Sequence, residues 1–275
     1  MVKDILKVTG IVLVAVFTRV ICTLIFGGDP ISQHEPFGNM AGLIGIIPSV
    51  IIMFFISYLH LAIVGFFILR KQLAGNYKNG FLFGSMVGFL WLHGMFEAGI
   101  IKNIAQYKEL IFGISEAIPI IVLGLLVSYV LRREKILIEN KRIEFKEILI
   151  TLGSFTCIYL IQRYFSYKII GIESAYTNKL WETFLWTAGN GIVIGAMYLL
   201  IKLFNVDYSV RQNIIVFGVL IFGIDWFLYN MFVPLFFNVS AFEIVRSYIV
   251  RAVMDIISIC FSVYFAEKVQ EKIHA

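Results

Sequence analysis

The stretch that decides the fold runs from Ala41 to Leu69 and reads AGLIGIIPSVIIMFFISYLHLAIVGFFIL. It contains no Asp, Glu, Lys or Arg, and it exceeds the roughly 20 residues that a helix needs to cross the hydrocarbon core of a bilayer. Its apolar residues are continuous and do not alternate with polar ones. The pattern therefore predicts a transmembrane helix and excludes a strand of a membrane barrel.

Similar apolar blocks recur along the whole chain of 275 residues. Hydrophobic residues make up 60% of the sequence and charged residues 15%, against about 45–50% and about 25% in soluble domains. We therefore predict an all-α integral membrane protein with about eight transmembrane helices and no separate soluble domain. The predicted helices lie at about 8–27, 41–69, 81–101, 110–131, 148–170, 182–203, 213–236 and 243–266.

The two halves of the chain resemble each other weakly. Phe83-Gly84 and Trp91 in the third helix correspond in order to Phe217-Gly218 and Trp226 in the seventh. Because each half has an even number of helices, both halves would enter the membrane from the same side. This predicts a pseudo-two-fold axis along the membrane normal. The predicted division is an N-terminal four-helix half at 1–134, a charged cytoplasmic connector at 135–147 and a C-terminal four-helix half at 148–275.

The basic residues predict the orientation in the membrane. Fifteen of the 23 Lys and Arg residues fall on the side of the two termini, and only Lys102, Lys108, Lys168 and Lys179 fall in the opposite loops. The positive-inside rule then places both termini in the cytoplasm of a multi-pass protein of the inner cell membrane. The same rule explains the net charge of +5, so nucleic acid is not expected as a partner.

Ionisable residues inside the predicted spans are the candidate site residues, because each costs a few kcal/mol in hydrocarbon unless it faces the bundle interior or water. Their positions predict one polar layer in the outer half, lining a pocket that opens to the outside. The spacing His93/Glu97 and Arg251/Asp255 is i,i+4, which puts each pair on one helix face. The candidate substrate-binding residues are Arg19, Glu116, Arg163, Asp225, Arg251 and Asp255. The alternative is that these charges are structural ion pairs with no ligand.

Small residues and backbone breaks carry two further expectations. Gly84 and Gly88 have the spacing of a close helix-packing motif. Gly189-Asn190-Gly191 is expected to interrupt the sixth helix.

One short segment resembles a known family. His93-Gly94-Met95-Phe96-Glu97-Ala98 is similar to the His-Gly-x-x-Glu-Ala segment of a family of glutamic-type intramembrane peptidases. That family also carries adjacent glutamates followed by an arginine in an earlier helix, and this pair has no counterpart before residue 93. The resemblance implies catalytic roles for His93 and Glu97 if the protein is an enzyme.

The leading interpretation is a transporter, or a solute-binding permease component, for a small polar or charged solute. The expected partners are the lipid bilayer and the solute. Since the sequence has no ATP-binding motif, energy would come from an ion gradient or from a separate ATPase or other membrane subunit. The first alternative is an intramembrane hydrolase in which Glu97, beside His93, activates water. The second is a non-catalytic membrane subunit or immunity protein. A non-enzyme is favoured, and neither a cofactor nor a metal site is predicted.

Overall fold

The computed structural model describes residues 2–26, 38–73, 76–102, 105–131, 143–203 and 208–274. Within these ranges, eight helices are long and apolar enough to cross a membrane, as predicted. They are α1 (Lys3–Phe26), α2 (Ile46–Ile68), α3 (Tyr77–Ile101), α4 (Tyr107–Val130), α5 (Phe145–Ile170), α6 (Leu180–Leu203), α7 (Val210–Phe236) and α8 (Ala241–Lys272). The protein is thus an all-α multi-pass membrane protein. Its outward faces carry large apolar side chains, such as Leu24 and Ile161, that suit contact with lipid.

Eight crossings place both ends of the chain on one side of the bundle, and we call the half away from them the distal half. A short helix, Asn39–Ile44, precedes α2, and Gly45 joins the two with a φ of 87°, which favours glycine. Part of the predicted connector at 135–147 lies outside the described residues, and α5 takes in its last residues because the helix begins at Phe145.

Small residues bring α3 and α4 close together. A Cβ at Gly84 would lie 2.7 Å from the carbonyl oxygen of Ile120, and one at Gly88 would lie 3.1 Å from the Cα of Ala117. The expected packing role of this glycine pair is confirmed. Gly191 likewise allows α5 and α6 to approach closely, since a Cβ at this position would lie 2.7 Å from the Cα of Thr156.

The predicted break in the sixth helix is wrong. Helix α6 runs without interruption from Leu180 to Leu203, through Gly189, Asn190 and Gly191. The physical reason is that the glycines lie against neighbouring side chains and backbone, where a larger residue would clash, so packing offsets their low helix propensity.

The helix contacts occur in corresponding sets. Helix α1 packs on α2 and α4, while α5 packs on α6 and α8. Likewise α3 contacts α4 and α6, while α7 contacts α8 and α2. Exchanging the two halves converts each of these contacts into another, as a pseudo-two-fold relation requires. The internal repeat and its axis stay a prediction.

Candidate functional site

Arg163 of α5 is a fully buried arginine that bonds to side chains of two other helices in the distal half. Its Nη1 donates to Oε1 of Glu97 on α3 at 3.0 Å, and its Nη2 donates to Oδ2 of Asp255 on α8 at 2.7 Å. The Tyr159 hydroxyl, one turn earlier on α5, accepts from Nε of the same guanidinium at 3.0 Å. One side chain thus joins α3, α5 and α8.

Glu97 binds a second arginine as well. Its Oε2 forms an ion pair with Nη2 of Arg251, which lies one turn from Asp255 on α8. The carboxylate of Glu97 is therefore held between two guanidiniums. We call Glu97, Arg163, Arg251 and Asp255 the four-charge cluster; its two positive and two negative groups balance.

Polar side chains around the cluster hold its members in place. The indole Nε1 of Trp226 donates to Oδ2 of Asp255 at 2.8 Å, and Nδ2 of Asn190 donates to the Tyr159 hydroxyl at 2.9 Å. Sequence reasoning missed Tyr159, Asn190 and Trp226 as members of the site. For Tyr159 and Trp226 the available signal was a polar or indole side chain one turn from, or next to, an ionisable residue in the same span, whereas Asn190 has no ionisable residue within two turns of α6.

A small cleft lies against the cluster at the distal end. Its cavity volume is about 10 Å³, which is room for about one water molecule. Glu97, Tyr167, Thr183 and Trp186 are among the residues that line it, and Oγ1 of Thr183 is buried without a hydrogen-bond partner in the described structure. Glu97 is therefore the member of the cluster that lines this distal cleft.

Three of the charged residues adjoin π-helical segments. Ser166–Ile170 follows Arg163, Ile214–Gly223 precedes Asp225, and Ile244–Val250 precedes Arg251. In a π-helix the backbone bond spans five residues, and such segments are frequent at functional sites. Their positions mark α5, α7 and α8 as the irregular helices of the site.

The remaining candidates bond to other partners. Arg19 of α1 pairs with Glu116 of α4, with Nε 2.9 Å from Oε1, and its Cζ lies 4.8 Å from the ring centre of Phe54. Arg19 also lines a second cavity of about 40 Å³ beside Thr23. Asp225 of α7 is fully buried and accepts from the indole Nε1 of Trp91 at 3.0 Å.

By their hydrogen bonds and ion pairs, the predicted site residues fall into three groups: the four-charge cluster, the Arg19–Glu116 pair and Asp225. The helix rotations place Arg19, Arg163 and Arg251 each against a carboxylate of another helix. Among the described residues, no group of three or more His, Cys, Asp or Glu side chains could hold a metal ion.

His93 contacts α6 rather than Glu97. Its Nε2 donates to the carbonyl oxygen of Trp186 at 3.1 Å, and Nε1 of Trp186 donates to the carbonyl oxygen of His93 at 2.8 Å. The two rings stack at 5.8 Å between centroids. Within the described structure, the imidazole is thus a helix-to-helix contact of α3 and α6.

Compared with known protein families, curated proteins and solved structures, the chain matches none of them. The fold defines the class as an eight-span α-helical membrane protein.

Proposed function

We propose that this protein binds a small anionic solute at the four-charge cluster and carries it across the membrane. The observation that supports the proposal most directly is the carboxylate of Glu97, held between the guanidiniums of Arg163 and Arg251. Forked guanidiniums bind carboxylates and phosphates in this way. Glu97 occupies the place that a solute carboxylate takes in the loaded state.

The position of Glu97 supports the same proposal. Its side chain lines the distal cleft, beside the spare hydroxyl of Thr183 and the ring of Trp186. The Cζ of Arg163 lies 5.3 Å from that ring. Because the cleft holds about one water, the present arrangement is the closed state, and a solute enters when Glu97 leaves the two arginines.

A second candidate function is that of a non-catalytic membrane subunit. It is favoured by the fact that both arginines of the cluster already have carboxylate partners, as structural ion pairs do. The hydrolase alternative has less support, because both oxygens of Glu97 accept from guanidiniums and the ring of His93 bonds to Trp186. A carboxylate whose two oxygens both bond to guanidiniums has neither oxygen placed to take a proton from water.

Binding to purified protein separates these functions. The intrinsic fluorescence of Trp186 and its neighbours is titrated with a panel of small carboxylates and inorganic phosphate. We expect Glu97→Gln to tighten anion binding about tenfold, which corresponds to about 1.4 kcal/mol, because the internal competitor loses its charge. Arg163→Lys and Arg251→Lys should weaken binding. Glu182→Gln, which changes an exposed acid at the distal end of α6, is the matched control and should have no effect.

Flux completes the test. Protein reconstituted in vesicles should move the bound anion, and the Arg251→Lys variant should move it more slowly. Binding without flux would favour the solute-binding subunit. If neither the natural protein nor Glu97→Gln binds any anion of the panel, the proposal is wrong and the structural role of the cluster stands.

A further inference from the structure

Two aspartates in neighbouring helices form a matched pair. Asp225 of α7 and Asp255 of α8 are both fully buried. Each accepts one hydrogen bond from an indole on Oδ2, from Trp91 at 3.0 Å and from Trp226 at 2.8 Å. Each also leaves Oδ1 buried without a hydrogen-bond partner in the part of the chain that the structure describes.

An ion pair with an arginine distinguishes the two carboxyl groups. Arg163 donates to Asp255 at 2.7 Å, whereas Asp225 forms no ion pair with any Lys, Arg or His in the described ranges. Two phenols lie around the indole of Trp91 that bonds to Asp225. Tyr229 lies on its own helix and stacks on Trp226, and Tyr58 of α2 lies 6.5 Å from the ring of Trp91. His60 of α2 bonds to the backbone of Leu220, more than one turn away.

Among the described residues, an ionised carboxylate in this position would have no ion-pair partner and one hydrogen-bond donor. Taking such an ion out of water is unfavourable, whereas a carboxylic acid is uncharged and needs only hydrogen bonds. Binding a proton removes the charge, while Oδ2 keeps its bond to Trp91. The guanidinium of Arg163 supplies the same compensation to Asp255 without a proton.

We propose that Asp225 is a proton-binding site in the core of the bundle, holding a proton at neutral pH while Asp255 stays ionised. The ligand of this site is the proton, carried on Oδ1 and separate from the four-charge cluster. The proposal does not rest on the binding of an anionic solute, because the proton is carried by Asp225, which lies outside the four-charge cluster and bonds to Trp91.

Infrared spectroscopy of the purified protein at neutral pH tests the proposal. Exposed acids are ionised there, so the natural protein should show the carbonyl stretching band of a protonated carboxylic acid. Asp225→Asn should remove that band. The matched variant Asp255→Asn should leave it and remove a carboxylate band. Absence of the acid band from the natural protein, or its persistence in Asp225→Asn, would overturn the proposal.

Two further variants keep the carboxyl groups in place, in case the asparagine variants do not fold. Trp91→Phe should shift the frequency of the acid band, because Oδ2 of Asp225 loses the donor that it has among the described residues. Trp226→Phe should leave that frequency unchanged. Arg163→Met should add a second acid band, as Asp255 takes up a proton in place of its lost cation. If Trp91→Phe leaves the frequency of the acid band unchanged, the assignment of the band to Asp225 is wrong. These results are independent of whether any anion binds.

Discussion

Nη2 of Arg163 lies 2.7 Å from Oδ2 of Asp255, and both side chains are fully buried. Removing one partner of a buried ion pair leaves an uncompensated charge and typically costs about 3–5 kcal/mol. We therefore expect Arg163→Ala to lower the stability of the protein by about that amount. Unfolding of the purified protein by denaturant, in detergent, measures the loss.

Arg246→Ala is the control for this prediction. Arg246 pairs with Glu243 three residues away, and about a third of each side chain is exposed, so we expect a loss of about 0–1 kcal/mol. Equal losses for the two variants would mean that the burial of Arg163 carries no energetic weight.

The Arg19–Glu116 pair joins α1 to α4 and is suited to a double-mutant cycle. Arg19→Met and Glu116→Gln should each destabilise the protein, because each leaves one charge in a largely buried place. The double variant should lose less than the sum, with a coupling energy of about 0.5–3 kcal/mol. Additive losses would show that the two side chains do not act on each other.

The close approach of α3 and α4 predicts a strong effect of one methyl group. Gly84→Ala places a Cβ 2.7 Å from the Ile120 carbonyl oxygen, so the helices must separate. Overpacking of this kind costs about 1–3 kcal/mol. Gly10→Ala is the matched control, since nothing lies within 4 Å of its Cβ, and it should be neutral or slightly stabilising. Stability is measured by unfolding in detergent. A Gly10→Ala variant that is less stable than Gly84→Ala would contradict the close packing of α3 and α4.

The orientation can be tested by cysteine labelling of intact cells. In a protein whose three cysteines are replaced, Asn178→Cys lies in the exposed distal loop, and Lys272→Cys lies at the end of α8. With both termini in the cytoplasm, a membrane-impermeant maleimide should label residue 178 in intact cells. Residue 272 should be labelled only after permeabilisation, and the reverse pattern would invert the predicted topology.

The eight spans could be predicted because length and continuous hydrophobicity are local properties of the chain. The Ala41–Leu69 stretch needs no knowledge of its neighbours to be assigned as a helix. The burial of Arg163 and Asp255 could be predicted on similar grounds, because charges in spans avoid lipid.

The pairing of the charges could not be predicted. Arg163 is 66 positions from Glu97 and 92 from Asp255 along the chain, and its choice of partners depends on how each helix is rotated about its axis. Helical periodicity sets the angle between residues of one helix, but it does not set the angle between two helices. For the same reason, His93 and Glu97 share a helix face by spacing, yet they bond to different neighbours.

The balance of charge in the cluster has a consequence for its response to voltage. Two arginines and two carboxylates sum to zero, so the membrane potential exerts no net pull on the closed cluster. A bound monovalent anion would add one elementary charge, worth about 2.3 kcal/mol for a full crossing at 100 mV. The membrane potential would then act on the loaded cluster but not on the empty one. Transport of the anion would therefore move net charge across the membrane.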